Sequence, residues 1–227
     1  MKNQLEKEKE LAALAAVQYV RDGQVVGLGT GSSSEYAIRA LGEMVKNGLR
    51  ITGVPTSIRT AQLAEALGIP LADINTINEI DVTIDGADEF TTDLLLIKGG
   101  GGALLREKIV ASLTKQQIII ADSSKLVEKL GKFHLPVEVI PFASNYVLNQ
   151  LKKIGGEAKI RQSGTEPYKT DQGNYILDTD FGLMENPREL AENLNRIEGI
   201  ACYGLFIDLA ERVIMAKGDE TFEFTRA

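Results

Sequence analysis

The sequence predicts an α/β protein, a Rossmann-like, mainly parallel sheet domain with an inserted smaller α+β module. Three observations point there. Short apolar runs alternate with helix-length amphipathic segments as far as residue 130, and several of these runs end in glycine, hydroxyl or charged residues instead of ordinary turns. Near residue 131 the punctuation changes, with Gly131, Pro136 and Pro141 opening a different set of elements. The 227 residues, 44% hydrophobic, suffice for one large or two modest cores.

Residues 3–20 read as an amphipathic helix with Leu5, Leu11, Leu14 and Val17 as its apolar set, stopped by the Asp22-Gly23 turn. Lys9 lies on it. Residues 24–28 form a short strand, and the run Gly27 to Ser34, GLGTGSSS, then opens a helix through residue 47. This is a phosphate-cradle pattern: glycines let the backbone approach an anion, the helix N-terminus offers N–H donors and positive dipole, and Thr30, Ser32 and Ser33 add hydroxyls. A capping serine in a tight turn is the plain alternative. Ser32 stands where a dinucleotide fingerprint has its third glycine, and the G-K-[ST] ending of a P-loop is absent, so a small phosphorylated metabolite fits best. Strand 51–54 and helix 57–67, closed by Gly68 and Pro70, follow.

Residues 81–109, DVTIDGADEFTTDLLLIKGGGGALLREKI, hold the chemistry. Val82, Ile84 and residues 94–97 read as buried strands whose ends carry Asp85, Asp88 and Lys98, where ligands of open α/β sheets bind. Gly99 to Gly102 then enter a helix over 103–113, expected to be packed on several sides through Leu104, Leu105, Ile109, Val110 and Leu113. Glu107 falls between Ala103 and Ala111 on the small-residue face. Partial dehydration there raises its pKa toward the range of a proton acceptor, while Lys98 pulls it back. Complementing the helix dipole, or pairing with a neighbouring base, is the alternative role. Strand 117–121 ends in Asp122-Ser123-Ser124-Lys125, and Lys125 is either a phosphate partner or a surface lysine beginning a helix.

A domain boundary is expected at 131, giving a first domain of 1–130 plus 205–227 and a small lid domain of 131–204. Strand 137–140, helix 144–154, strands 157–161 and 175–178, helix 189–197 and strand 200–204 make the order βαββαβ, a ferredoxin-like module. Residues 205–210 and 212–216 read as strands rejoining the first sheet, and 221–224 as a short edge strand.

Composition narrows the function. A formal net charge of −7 argues against nucleic acid and anionic membranes as partners, and no window of about 18 apolar residues spans a bilayer. One cysteine and one histidine leave no disulfide and no zinc cluster, so a chain without metal or cofactor is expected. His134 is placed at the domain junction or in solvent, and Cys202 in the core.

Several segments in register resemble the ribose-5-phosphate isomerases of the A type, over nearly the whole chain. GLGTGSSS resembles that family's phosphate loop, DGADE its diacid strand end, KGGGGALLREK its lysine, glycine and base segment, and ADSSK its third loop. GKFHLPVEVIPFA and GNYILD resemble stretches of its small domain, and GLFIDLAERVIMAKGD its closing strands. Ser33 where threonine is usual, Glu35 and Tyr36 after it, and His134 where proline is common are the departures.

The resemblance implies that Thr30, Gly31, Ser32 and Ser33, Asp85, Gly86, Ala87 and Asp88, and Lys98, Gly99, Gly100 and Gly101 bind substrate. It places Glu107 as proton acceptor, Lys125 as a substrate-binding lysine and Lys9 as a phosphate contact, in a cytoplasmic, metal-free homodimer or homotetramer. The implied reaction interconverts ribose 5-phosphate and ribulose 5-phosphate through an enediolate. It needs one base and one cation, Glu107 and Lys98, with Asp85 expected to open the sugar ring and Asp88 to hold hydroxyls. A non-catalytic phosphosugar sensor would not need those carboxylates. A lactonase or amino-sugar phosphate isomerase would lean on histidine, which is nearly absent.

Overall fold

Strands covered on both faces have to be apolar at every position, and Ile118, Ile119, Ile120 and Ala121 are all fully buried. The structure, a computed structural model, describes residues 2–226; Met1 and Ala227, the ends of the expected first domain, lie outside the described residues. Helix α1 (Lys2–Val17) precedes strand β1 (Val25–Leu28), helix α2 (Ser32–Lys46), strand β2 (Thr52–Pro55) and helix α3 (Ile58–Ala66). Strand β3 (Ile80–Gly86) leads through two short strands, β4 (Glu89–Phe90) and β5 (Leu96–Ile97), to helix α4 (Leu104–Ser112) and strand β6 (Thr114–Asp122). Next come β7 (Leu135–Val139), α5 (Ser144–Lys153), β8 (Glu157–Ile160), the hairpin β9 (Gln162–Ser163) and β10 (Glu166–Pro167), β11 (Tyr175–Asp180), α6 (Pro187–Leu194) and β12 (Ile200–Tyr203). The last strands are β13 (Leu205–Phe206), β14 (Arg212–Lys217) and β15 (Glu220–Thr225).

The main sheet has the order β2-β1-β3-β6-β14-β15, parallel except for β15 at one edge. The chain moves from β1 outward to β2 and then crosses back to β3, so the order reverses between β1 and β3. Loops leaving those two strands diverge there and open a crevice, the usual ligand position in doubly wound sheets. Ile118 and Ile120 pack with Ala12, Ala13 and Ala16 of α1 and Ile38 and Leu41 of α2. On the opposite face Ile119 and Ala121 pack with Phe90, Leu96, Phe206 and Met215.

Residues 135–203 form a four-stranded antiparallel sheet of order β12-β7-β11-β8, the arrangement of a ferredoxin-like βαββαβ unit. Its core, with Leu135, Val137, Val147, Leu151, Leu177 and Leu194, continues into Ile97 and Leu205. The segment that carries Lys98 therefore rests on both sheets.

Four expectations need correction. Residues 205–210 do not rejoin the main sheet: only β13 is extended there, pairing with β5 in a three-stranded sheet of order β13-β5-β4, because Asp208 turns to φ 59°. Leu94, also at φ 59°, confines the strand expected over 94–97 to β5, so Lys98 emerges from this small sheet and not from the main one. Helix α1 buries Ala12, Ala13 and Ala16 and leaves Leu14 exposed, since small side chains let it lie close on α2 and the sheet. Ile109 of α4 is likewise exposed, while Leu104 and Val110 are buried. The hairpin of β9 and β10 was not expected from sequence.

Candidate active site

Gly29 ends β1 because another side chain occupies the space its Cβ would take: a Cβ there would stand 2.1 Å from Oδ1 of Asp85 and 2.6 Å from the Asp85 Cα. Gly29→Ala is therefore expected to destabilise the fold by about 1–3 kcal/mol, as overpacking does. An unchanged denaturation midpoint would contradict this contact. Beyond it, Gly31 is the N-cap of α2 at φ 120°, and no side chain caps the first turn. The tight-turn serine cap thus gives way to an anion-receptive helix end, with Ser32 and Ser33 on its first turn.

A cavity of about 250 Å³ lies over this end of the sheet, smaller than the ~300–1,000 Å³ of sites for drug-sized ligands. Its lining includes Lys9, Thr30, Gly31, Ser32 and Ser33 together with Gly86, Ala87, Asp88, Lys98, Gly99, Gly100, Gly101, Glu107 and Lys125. Every candidate residue except Asp85 faces it. Contacts divide the polar lining into two groups.

In the first group, Lys9 Nζ donates to Ser32 Oγ at 3.1 Å and to Glu6 Oε1 at 2.7 Å. Lys125 closes a single 3-10 turn, Ser123–Lys125, instead of beginning a helix, and no hydrogen bond or ion pair ties it down among the described residues. Thr30 departs from its expected part as a hydroxyl donor to ligand. Its Oγ1 sits in a cluster with Thr56 at 2.7 Å, Ser57 at 2.9 Å and Thr60 at 3.1 Å, and its N–H donates to Asp85 Oδ1.

The second group centres on Lys98, 2% exposed. Its ammonium donates to Asp85 Oδ2 at 2.9 Å and to the Gly86 carbonyl at 2.5 Å, and lies 3.3 Å from Glu107 Oε2. Burial opposes the charge on Lys98, but the carboxylates of Asp85, Glu107 and Asp88 outweigh it and raise the pKa, so the lysine stays protonated. Two of its three donors are committed to Asp85 and the Gly86 carbonyl, leaving the third for Glu107 or a ligand. Glu107 is 3% exposed, on the small-residue face with Ala103 and Ala111, also buried. Burial pushes its pKa from the ordinary 4.5 to about 8, against the pull of Lys98. Oε2 of Glu107 has no hydrogen-bond partner among the described residues. Its contact there is the ion pair with Lys98 at 3.3 Å, and a buried carboxylate oxygen that accepts no well-formed hydrogen bond is costly for folding alone, whereas a ligand would satisfy it.

Asp85 lies behind the cavity, 1% exposed. Its Oδ1 accepts from the N–H groups of Thr30 and Gly86 and from Ser34 Oγ, and its Oδ2 accepts from Lys98. A carboxylate so fully engaged holds its neighbours in place. Asp88 is partly exposed, and its Oδ2 accepts from the Gly100 N–H at 2.7 Å. Glu89, the third acid of the same run, turns away and accepts from the N–H groups of Gly131 and Phe133.

Sequence reasoning missed two supports. Ser34 fixes Asp85, and its place in the hydroxyl run was the available signal. Arg161 makes a two-point ion pair with Asp178 and donates to the carbonyls of Gly99 and Gly100, so the small module braces the glycine turn. Nothing local in the sequence marks it. His134 is largely exposed, 3.6 Å from Asp180, and Cys202 is buried with its thiol pushed up to about 11 by burial. Among the described residues no helix is long and apolar enough to cross a membrane, and no three His, Cys, Asp or Glu side chains group as a metal site.

Known proteins resemble this chain in sequence and in fold. The family model described as ribose 5-phosphate isomerase A (phosphoriboisomerase A) matches residues 52–220. A ribose-5-phosphate isomerase A of Sphingopyxis alaskensis is 51% identical over 212 residues, 93% of each chain, and one of Parvibaculum lavamentivorans is 47% identical over 95% of this chain and 97% of its own. Among solved structures, a D-ribose-5-phosphate isomerase in complex with phospho-erythronic acid superposes with a TM-score of 0.95 at 37% identity, covering 98% of this chain and 99% of that one. The ribose 5-phosphate isomerase A of Methanocaldococcus jannaschii gives 0.93 at 39% identity, covering 97% and 99%. With a matching model across most of its length and close relatives along nearly all of it, the chain belongs to the ribose 5-phosphate isomerase A family and is an isomerase.

Proposed function

We propose that the protein interconverts D-ribose 5-phosphate and D-ribulose 5-phosphate through an enediolate, with Glu107 carrying the proton between C2 and C1. The observation that carries this reading is the buried Glu107 carboxylate on the cavity wall, its Oε2 ion-paired with the Lys98 ammonium at 3.3 Å and accepting no well-formed hydrogen bond among the described residues. Taking a proton from the carbon next to a carbonyl builds negative charge on the carbonyl oxygen. A fixed, desolvated ammonium stabilises that charge where it develops, and a carboxylate with a raised pKa is a competent acceptor near neutrality. Asp85 acts by holding Lys98 and the Thr30 backbone, and Asp88, on the cavity wall, serves the ring-opening proton transfer and the sugar hydroxyls.

The phosphate is assigned to the α2 N-terminus with Ser32, Ser33, Lys9 and Lys125. Phospho-erythronic acid, the ligand of the related structure, joins a phosphate to a planar carboxylate, the two charges an enediolate phosphate would present. The module of residues 131–204 is proposed as a lid domain over the site, since Arg161 reaches from it to the glycine turn.

Supplying ribose 5-phosphate in the presence of EDTA and following ribulose 5-phosphate tests the activity directly; no turnover would refute it. Lys125→Ala is expected to raise KM by about tenfold, the loss of one charged hydrogen bond, with kcat within about threefold. An unchanged KM would remove Lys125 from the phosphate site.

A further inference from the structure

Beside a site meant for a phosphate dianion, a buried carboxylate is electrostatically out of place. Glu8 of α1 is one, 3% exposed and adjacent in sequence to Lys9. It touches nothing in the cavity lining through its carboxylate. Instead, Oε2 accepts from the N–H of Ser123 at 3.0 Å and its Oγ at 2.7 Å, and Oε1 accepts from the Gly218 N–H at 2.9 Å. Hydrogen bonds from these groups lower its pKa despite the opposing effect of burial, so the group is held as an anion. Ser123 begins the 3-10 turn that ends in Lys125, and Gly218 lies in the turn between β14 and β15.

One carboxylate therefore fastens the helix bearing Lys9 to the turn bearing Lys125, and anchors both on the closing strands. The Lys125 side chain has no hydrogen bond or ion pair among the described residues, so its reach depends on how that turn sits; Asp122 shapes the turn from within, accepting from the N–H and Oγ of Ser124, and Glu8 ties it to α1. We infer that Glu8 is a positioning residue for phosphate recognition, bringing Lys9 and Lys125 together opposite the N-terminus of α2. The inference rests on the phosphate site proposed above.

Two opposite signs separate this role from others. If Glu8 acted on the site only through its field, replacing it with a neutral side chain would remove repulsion and strengthen anion binding. If it positions the lysines, the same change weakens binding: glutamine keeps one acceptor, but its amide presents donors to the N–H of Ser123 or of Gly218.

The test is Glu8→Gln. KM for ribose 5-phosphate, and the dissociation constant of inorganic phosphate measured by calorimetry, are expected to rise together by about five- to twentyfold, with kcat within about twofold. In combination with Lys125→Ala the effects should fall short of additive, because both changes disable one lysine. Phosphate affinity that is unchanged or improved, or a parallel loss of kcat and KM with a lowered melting temperature, would overturn the inference. Should Glu8→Gln not fold, Ser123→Ala decides the matter, with at least a threefold weakening of phosphate binding expected and unchanged binding overturning the role. Because phosphate affinity is read without turnover, a wild-type protein inactive on ribose 5-phosphate would refute the proposed reaction and leave the outcome for Glu8 readable by itself.

Discussion

Glu107→Gln is expected to lower kcat for ribose 5-phosphate by about 10²–10⁴-fold, the usual worth of a positioned proton acceptor, while KM changes little. The amide has the shape of the carboxyl but cannot take the C2 proton. A loss smaller than about tenfold, under 1.4 kcal/mol of barrier, would rule out an essential base. The pH dependence carries a second signature. With the Glu107 pKa raised from 4.5 to about 8 by burial, kcat/KM of the wild type should climb through the neutral range toward pH 8; an acid limb near the ordinary carboxylate value would contradict the desolvated site. The sign for stability is the reverse. The native state retains a proton that the unfolded chain releases above 4.5, so this contribution is complete below that pH and is lost as pH rises through about 8. Denaturant titrations of wild type across that window should show the decline, and Glu107→Gln should flatten it.

Lys98→Met is expected to cost about 10²–10³-fold in kcat, the range for removing one donor to a developing oxyanion. It should also destabilise the fold by about 3–5 kcal/mol, because Asp85 is left as a buried charge without its counter-ion. This double effect distinguishes Lys98 from Lys125, whose loss should leave stability unchanged. Removing the ammonium takes away what holds the Glu107 pKa down, so the acid limb of any residual activity should move to still higher pH. Steady-state kinetics, a pH profile and chemical denaturation together check it; wild-type kcat, or wild-type stability, would refute the part assigned to the lysine.

Much of the site was legible because its parts are short-range. A glycine and hydroxyl run before a helix, acids at the end of an apolar strand and a glutamate between alanines on a helix each follow from spacing that a few residues encode. The mainly parallel character of the sheet was equally accessible, since strands alternating with helices place successive strands side by side in one direction, whereas the strand order emerged only from the structure. Where the expected strands failed, a positive backbone angle was responsible: Leu94 and Asp208, both at φ 59°, cut two apolar runs short and diverted them into a separate small sheet. Apolar composition registers burial but not the residue at which extension stops.

By itself, then, the sequence determined the doubly wound architecture, the βαββαβ module and the identity of the groups gathered at the cleft. Which of those groups faces the cavity was decided only in three dimensions. Asp85, Asp88 and Glu89 stand within five residues, yet one is saturated behind the cavity, one faces it and one secures a distant loop. Thr30 turned its hydroxyl inward, and Arg161 and Glu8 acquired their parts through partners 61 and 210 residues away. The reason is physical: a polar side chain takes its direction from whichever donors and acceptors packing brings near, and contacts made across such separations leave no periodic mark on the chain.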